Sequence, residues 1–90
     1  MSDSIKILLV EDNPGDIRLI QEWMSEIRDV SYQVDSFRRL SEALDYLDRQ
    51  KPDIVLLDLG LPDSQGLDTL REFRAYSPEI PVVVMTSLDD

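Results

Sequence analysis

Apolar positions recur along the chain with two periods, and the switches between them mark out its elements. Ile5-Lys6-Ile7-Leu8-Leu9-Val10 is a nearly continuous apolar run, the pattern of a central strand. It runs directly into Glu11-Asp12. Asn13, Pro14 and Asp16 then read as a helix start: a favoured N-cap, a proline suited to the first turn, and an acid that complements the positive helix end. Ile17, Ile20, Trp23, Met24 and Ile27 follow at helical spacing, opposite Arg18, Gln21, Glu22, Ser25 and Glu26. That stripe puts Trp23 in the core. From Val30 to Phe37 the period becomes two, with Val30, Tyr32 and Val34 on one face and Ser31, Gln33 and Asp35 on the other. This is a half-exposed strand suited to a sheet edge.

Leu40, Ala43, Leu44 and Leu47 make a second helical stripe, closed near Lys51-Pro52 because proline cannot continue a helix. Ile54-Val55-Leu56-Leu57 reads as a strand buried on both faces, ending at Asp58 before Gly60 and Pro62 stop it. A loop over 60–65 leads to a third helix carrying Leu67, Leu70 and Phe73, which Ser77-Pro78 terminates. Pro81 precedes a last strand, Val82-Val83-Val84-Met85-Thr86. No repeat, low-complexity segment or long linker divides the chain, so residues 1–90 are expected to form a single domain.

Strands and helices thus alternate from the first strand to the last, which implies a parallel sheet with helices on its faces. Crossovers are right-handed as a rule. With the half-polar strand at one edge, the expected order is 2-1-3-4. Strands one and three then lie side by side while the chain winds away from them in opposite directions. Ligands bind at the carboxyl ends of strands at such a switch point. Glu11, Asp12 and Asp58 all map there.

Composition narrows the chemistry. The formal net charge of -10 disfavours binding to nucleic acid or to an anionic membrane. Nothing in the sequence resembles a signal peptide or a membrane span. Cysteine is absent, which fits the reducing cytoplasm. Histidine is absent too, so any phosphohistidine chemistry requires a partner that brings the imidazole.

Taken singly, Asp58 is a turn residue and Thr86 a β-branched strand residue. Together with Glu11 and Asp12 they suggest more. Like charges gathered at one site repel unless a cation neutralises them or a proton is taken up. Hard oxygen ligands with open positions suit Mg2+, or Mn2+, which keep waters and accept phosphate oxygens. A carboxylate beside such an ion can attack phosphorus and form an acyl phosphate. Thr86 supplies a hydroxyl beside the same crevice, with Ser87 as a lower-ranked candidate.

The combination of Leu-Leu-Val-Glu11-Asp12-Asn-Pro, Asp58 followed by Pro62 and Gly66, and Val-Val-Val-Met-Thr86 resembles the receiver domain of two-component response regulators. The resemblance covers the whole chain. It implies a flavodoxin-like, doubly wound α/β fold and a histidine kinase or phosphotransfer protein as partner. It implies Asp58 as phosphoacceptor and Asp12 as a direct Mg2+ ligand, with Glu11 assisting and the Gly60 carbonyl as a further ligand. Thr86 would bind the phosphoryl group and couple it to a switch. Any activity would be at most Mg2+-dependent self-phosphorylation and autodephosphorylation at the aspartate, not conventional enzyme turnover. An aspartyl phosphohydrolase is disfavoured because Gly60 stands where such enzymes place a second aspartate. A nucleotide-binding domain is disfavoured because the first strand-to-helix turn has only Gly15.

One departure stands out. Such domains have five strands and five helices, whereas this sequence stops shortly after the fourth strand. The fourth helix, fifth strand, fifth helix and a phosphoryl-contacting lysine have no counterpart, and neither Lys6 nor Lys51 sits where it could replace that lysine. The expectation is an N-terminal portion of the usual domain. Wholly apolar Val82 to Met85 would then be an unprotected edge, which proteins usually avoid. A homodimer or higher oligomer through that edge is the expected consequence. The alternative function is a fragment acting only in protein interaction or self-assembly, without phosphotransfer.

Overall fold

The computed structural model describes residues 4–85. Its elements, in chain order, are β1 (Ser4–Val10), α1 (Pro14–Ser25), β2 (Ser31–Phe37), α2 (Leu40–Leu47), β3 (Ile54–Asp58), β4 (Gly60–Leu61), β5 (Ser64–Gln65), α3 (Leu67–Tyr76) and β6 (Val82–Met85). The main sheet runs β2-β1-β3-β6 and is parallel throughout. This is the expected 2-1-3-4 order, with β6 as its fourth strand. The 60–65 segment, expected as a plain loop, instead folds into a small antiparallel ribbon in which Gly60 pairs with Gln65 and Leu61 with Ser64.

Register explains the core. Leu8 lies opposite Val55 and Val10 opposite Leu57, so these four side chains share one face of the sheet. Together with Leu40, Ala43 and Tyr46 from α2, Phe73 from α3, Leu61 and Ile80 they form one buried cluster. Phe73, Leu8, Leu57 and Leu61 are among its fully buried side chains. Each contributes about 1.5–3 kcal/mol through burial. Tyr46 also donates its hydroxyl hydrogen to Asp35 Oδ2 at 2.8 Å, which ties α2 to the edge strand β2.

Ile7 and Leu9 point to the opposite face and are buried there. This is the side on which α1 packs over β2. Four expectations change in this part of the fold. Trp23 is 58% exposed and not in the core. The inward stripe of α1 is the narrower Ile17, Ile20 and Met24, and Ile27 lies beyond the end of the helix at Ser25. β3 is fully covered only on the α2–α3 side, where Val55 and Leu57 sit, while Ile54 and Leu56 are half-buried. Among the described residues, α1 is the one helix on that second face, and it covers the β1–β2 half. Leu67 is exposed as well, because the inward positions of α3 are Thr69, Leu70 and Phe73.

β6 is the outer strand of the described sheet, and its Val83 and Val84 are exposed. No helix among the described residues is long and apolar enough to cross a membrane.

Candidate metal centre

Two strands deliver the site. Val10 pairs with Leu57, so the next residues, Glu11 and Asp58, leave the sheet level with one another, and Asp12 follows Glu11. One carboxylate oxygen from each of Glu11, Asp12 and Asp58 lies within 4.8 Å of the other two. Adjacent parallel strands β1 and β3 bring these residues together at the switch point expected from the sequence.

Glu11 is the buried member, 6% exposed. Its N–H donates to the Phe37 carbonyl at 3.0 Å, which continues the β1–β2 ladder one step past the strand. Its Oε2 accepts the Asn13 N–H at 3.2 Å. Burial pushes the Glu11 carboxyl up to about 7; the Asn13 N–H opposes this and the neighbouring Asp58 charge adds to it. Asn13 also caps α1, its Oδ1 accepting the N–H groups of Gly15 at 2.8 Å and Asp16 at 3.2 Å. One short turn therefore starts the helix and braces the buried acid.

Asp58 accepts the Gly60 N–H on Oδ1 at 3.2 Å, folding the chain back over its own strand end. A Cβ on Gly60 would meet nothing within 4 Å, so no steric demand calls for glycine there, and a carbonyl role would not depend on it. Gly66 is different. Its φ of 66° and ψ of -150° lie in a region open essentially to glycine alone, and its N–H closes the ribbon onto the Leu59 carbonyl at 2.8 Å.

Three further residues border the site without having stood out in the sequence. Arg38 donates to the Asp12 carbonyl at 3.2 Å. Thr69, fully buried, donates to Ser64 Oγ at 2.7 Å, with the Leu59 carbonyl at 3.4 Å. Asp63 accepts the Leu40 N–H at 2.8 Å and the Ser41 N–H at 2.9 Å. Only the last carries a weak signal in sequence, as an acid in a Pro-Asp turn. Thr86 and Ser87 lie outside the described residues.

The donor set fits a small hard cation. It offers carboxylate oxygens only, and burial, with the Asp58 charge adding to it, holds the proton of Glu11 to about neutrality. Against known proteins, the profile of the response regulator receiver domain matches residues 7–90. The chain belongs to the response regulator receiver domain family. Membership implies a phosphoacceptor role in two-component signalling, on the flavodoxin-like fold. Among sequence relatives, the transcriptional regulatory protein PhoP of Escherichia coli K12 is 37% identical over 84 residues, 92% of this chain and 36% of that protein. The chain thus spans about a third of the length of the curated relatives it matches.

Solved receiver structures superpose closely. The phosphorylated cyanobacterial phytochrome response regulator RcpA matches with a TM-score of 0.82 and 37% identity, over 98% of this chain and 69% of that one. The Mn2+-bound form of response regulator Rcp1 matches with a TM-score of 0.80 and 33% identity, over 96% of this chain and 68% of that one.

Proposed function

We propose that this receiver domain accepts a phosphoryl group on Asp58 from a partner histidine kinase or phosphotransfer protein. Glu11, Asp12, Asp58 and the Gly60 carbonyl would hold the divalent ion, Mg2+ or alternatively Mn2+. The observation that carries the proposal is the approach of the three carboxylates to within 4.8 Å at the end of adjacent strands. A bound ion would supply positive charge to offset both the carboxylates and the incoming phosphoryl oxygens.

A carboxylate oxygen of Asp58 forms the new bond to phosphorus as the bond to the donor histidine nitrogen breaks, and the electron pair leaves with the imidazole. The Gly60 N–H holds Asp58 Oδ1, which leaves the other oxygen as the nucleophile. The Asn13 and Phe37 backbone contacts keep Glu11 in place beside it. Thr86, directly after β6 in sequence, is assigned the hydroxyl that hydrogen-bonds the phosphoryl group and couples it to a switch. The chain without histidine acts as acceptor only, within one domain over 1–90. We infer cytoplasmic residence, in keeping with response regulators and with a sequence free of cysteine, and the net charge of -10 argues against direct contact with nucleic acid or an anionic membrane.

The test is adduct formation. Incubated with Mg2+ and acetyl phosphate, or with a beryllofluoride mimic, the parent should gain an adduct seen by mass spectrometry or NMR, and Asp58→Asn should not. Equal behaviour of the two chains would refute the assignment.

The exposed Val83 and Val84 on β6 favour a second property, self-association through that edge into a homodimer or higher oligomer. Light scattering after size exclusion decides it, and a monomer over a wide concentration range rejects it.

A further inference from the structure

The ribbon that follows Asp58 is fastened to the fold from an unexpected direction. α2 has Arg39 at its N-cap position, in extended backbone with φ -133° and ψ 147°, and Arg39 makes no side-chain bond to the helix. Its first amides are served from a position 23 residues further along the chain: Asp63 Oδ1 accepts the Leu40 N–H at 2.8 Å, and Oδ2 accepts the Ser41 N–H at 2.9 Å. A helix cap ordinarily comes from the residue just before the helix. Here it comes from the tip of the ribbon, between β4 and β5. Both Asp63 oxygens are committed to α2, so Asp63 is not itself a ligand for an ion.

At its base the ribbon is closed by the Gly66 N–H on the Leu59 carbonyl at 2.8 Å, and nearer the tip Thr69 holds the Ser64 side chain at 2.7 Å. Between tip and base lies the backbone of Leu59, Gly60 and Leu61. It carries both the N–H that holds Asp58 and the carbonyl assigned to the ion.

We infer that Asp63 is a positioning residue: by clamping the ribbon tip to the α2 N-terminus, it fixes the Gly60 backbone beside Asp58 and tunes divalent-ion affinity. The affinity part rests on the metal reading proposed above. A residue that only capped α2 would be replaceable by a local cap, whereas a clamp would not.

Arg39→Ser provides that local cap, since the backbone at 39 already has the extended geometry a capping serine uses. Three chains are compared: the parent, Asp63→Ala, and Asp63→Ala with Arg39→Ser. The readouts are thermal midpoint, hydrogen exchange at the Gly66 amide, and Mn2+ affinity from the electron paramagnetic resonance signal of free Mn2+. Asp63→Ala should lower the midpoint, speed Gly66 exchange about five- to tenfold and weaken Mn2+ binding about tenfold. The double variant should regain the midpoint while keeping fast exchange and weak binding. Recovery of all three readouts would show a cap and nothing more. Unchanged Gly66 exchange in Asp63→Ala would overturn the clamp outright. A parent that binds no Mn2+ would sink the metal reading and the affinity half of this inference, while Gly66 exchange would still decide the clamp.

Discussion

Replacing Glu11 with glutamine should make the metal-free protein more stable at neutral and mildly alkaline pH. Burial, reinforced by the Asp58 charge, raises the Glu11 carboxyl from an ordinary 4.5 to about 7 in the folded state. The unfolded chain loses that proton near the ordinary value. Between the two, the folded state binds more protons than the unfolded state, so stability falls as pH rises. At 1.36 kcal/mol for each tenfold change in proton affinity, the rise from 4.5 to about 7 amounts to about 3 kcal/mol, fully felt above about pH 8. For a domain of 90 residues the total stability is roughly 5–13 kcal/mol, so the penalty is a large fraction of it.

Glutamine keeps an oxygen that can accept the Asn13 N–H, now 3.2 Å from Glu11 Oε2, and carries no charge to bury. Urea unfolding in the presence of a chelator, repeated from about pH 5 to about pH 8.5, isolates the effect. The stability of the parent minus that of Glu11→Gln should fall by about 2–3 kcal/mol across this window. A difference that stays flat would refute the claim that burial and Asp58 hold the Glu11 proton.

Divalent-ion binding should offset the penalty by neutralising the buried charge, and below about pH 7 it should displace the Glu11 proton. Calorimetry near pH 6.5 in buffers of differing ionisation enthalpy should detect proton release on Mn2+ binding by the parent, and equal release from Glu11→Gln would contradict the assignment. Burial pushes the Asp63 carboxyl up, but the Ser41 and Leu40 N–H groups outweigh it and hold Asp63 below its ordinary 3.8. The advantage of the parent over Asp63→Ala should therefore be full above that value and shrink as pH falls below it, which acid titration of urea midpoints can follow. Phe73→Ala empties the centre of the core and should cost about 3–5 kcal/mol. Circular dichroism should show a steep loss of thermal midpoint, and a near-parental midpoint would mean that the core is not where the fold places it.

The sheet was legible because its signals are local. Buried strands appear as apolar runs, and the alternation of Val30 to Phe37 marks an edge, so order and switch point follow without a contact map. Glu11, Asp12 and Asp58 were legible for the same reason, as the acids on which two such runs end. Trp23 was misplaced because periodicity gives the width of an apolar stripe and not the amount of sheet beneath it. Ile17, Ile20 and Met24 use the surface that α1 covers, and Trp23 falls on the flank. The ribbon over 60–65 was hidden because two-residue strands are too short to show any period.

The supports of the site were hidden by something more general. Capping rules look one to three residues ahead, and they succeed for Asn13, which bonds Gly15 and Asp16. They fail at α2, where the N-cap position holds Arg39 and the carboxylate arrives from Asp63. Glu11 follows the same logic: its identity is plain in the sequence, but its proton is held by burial and by a neighbour 47 residues away, Asp58. Acids at strand ends can be read from the chain because the strand brings them there. The clamp and the raised proton affinity arise only once the sheet has closed, so they follow from its topology and not from any short run of residues.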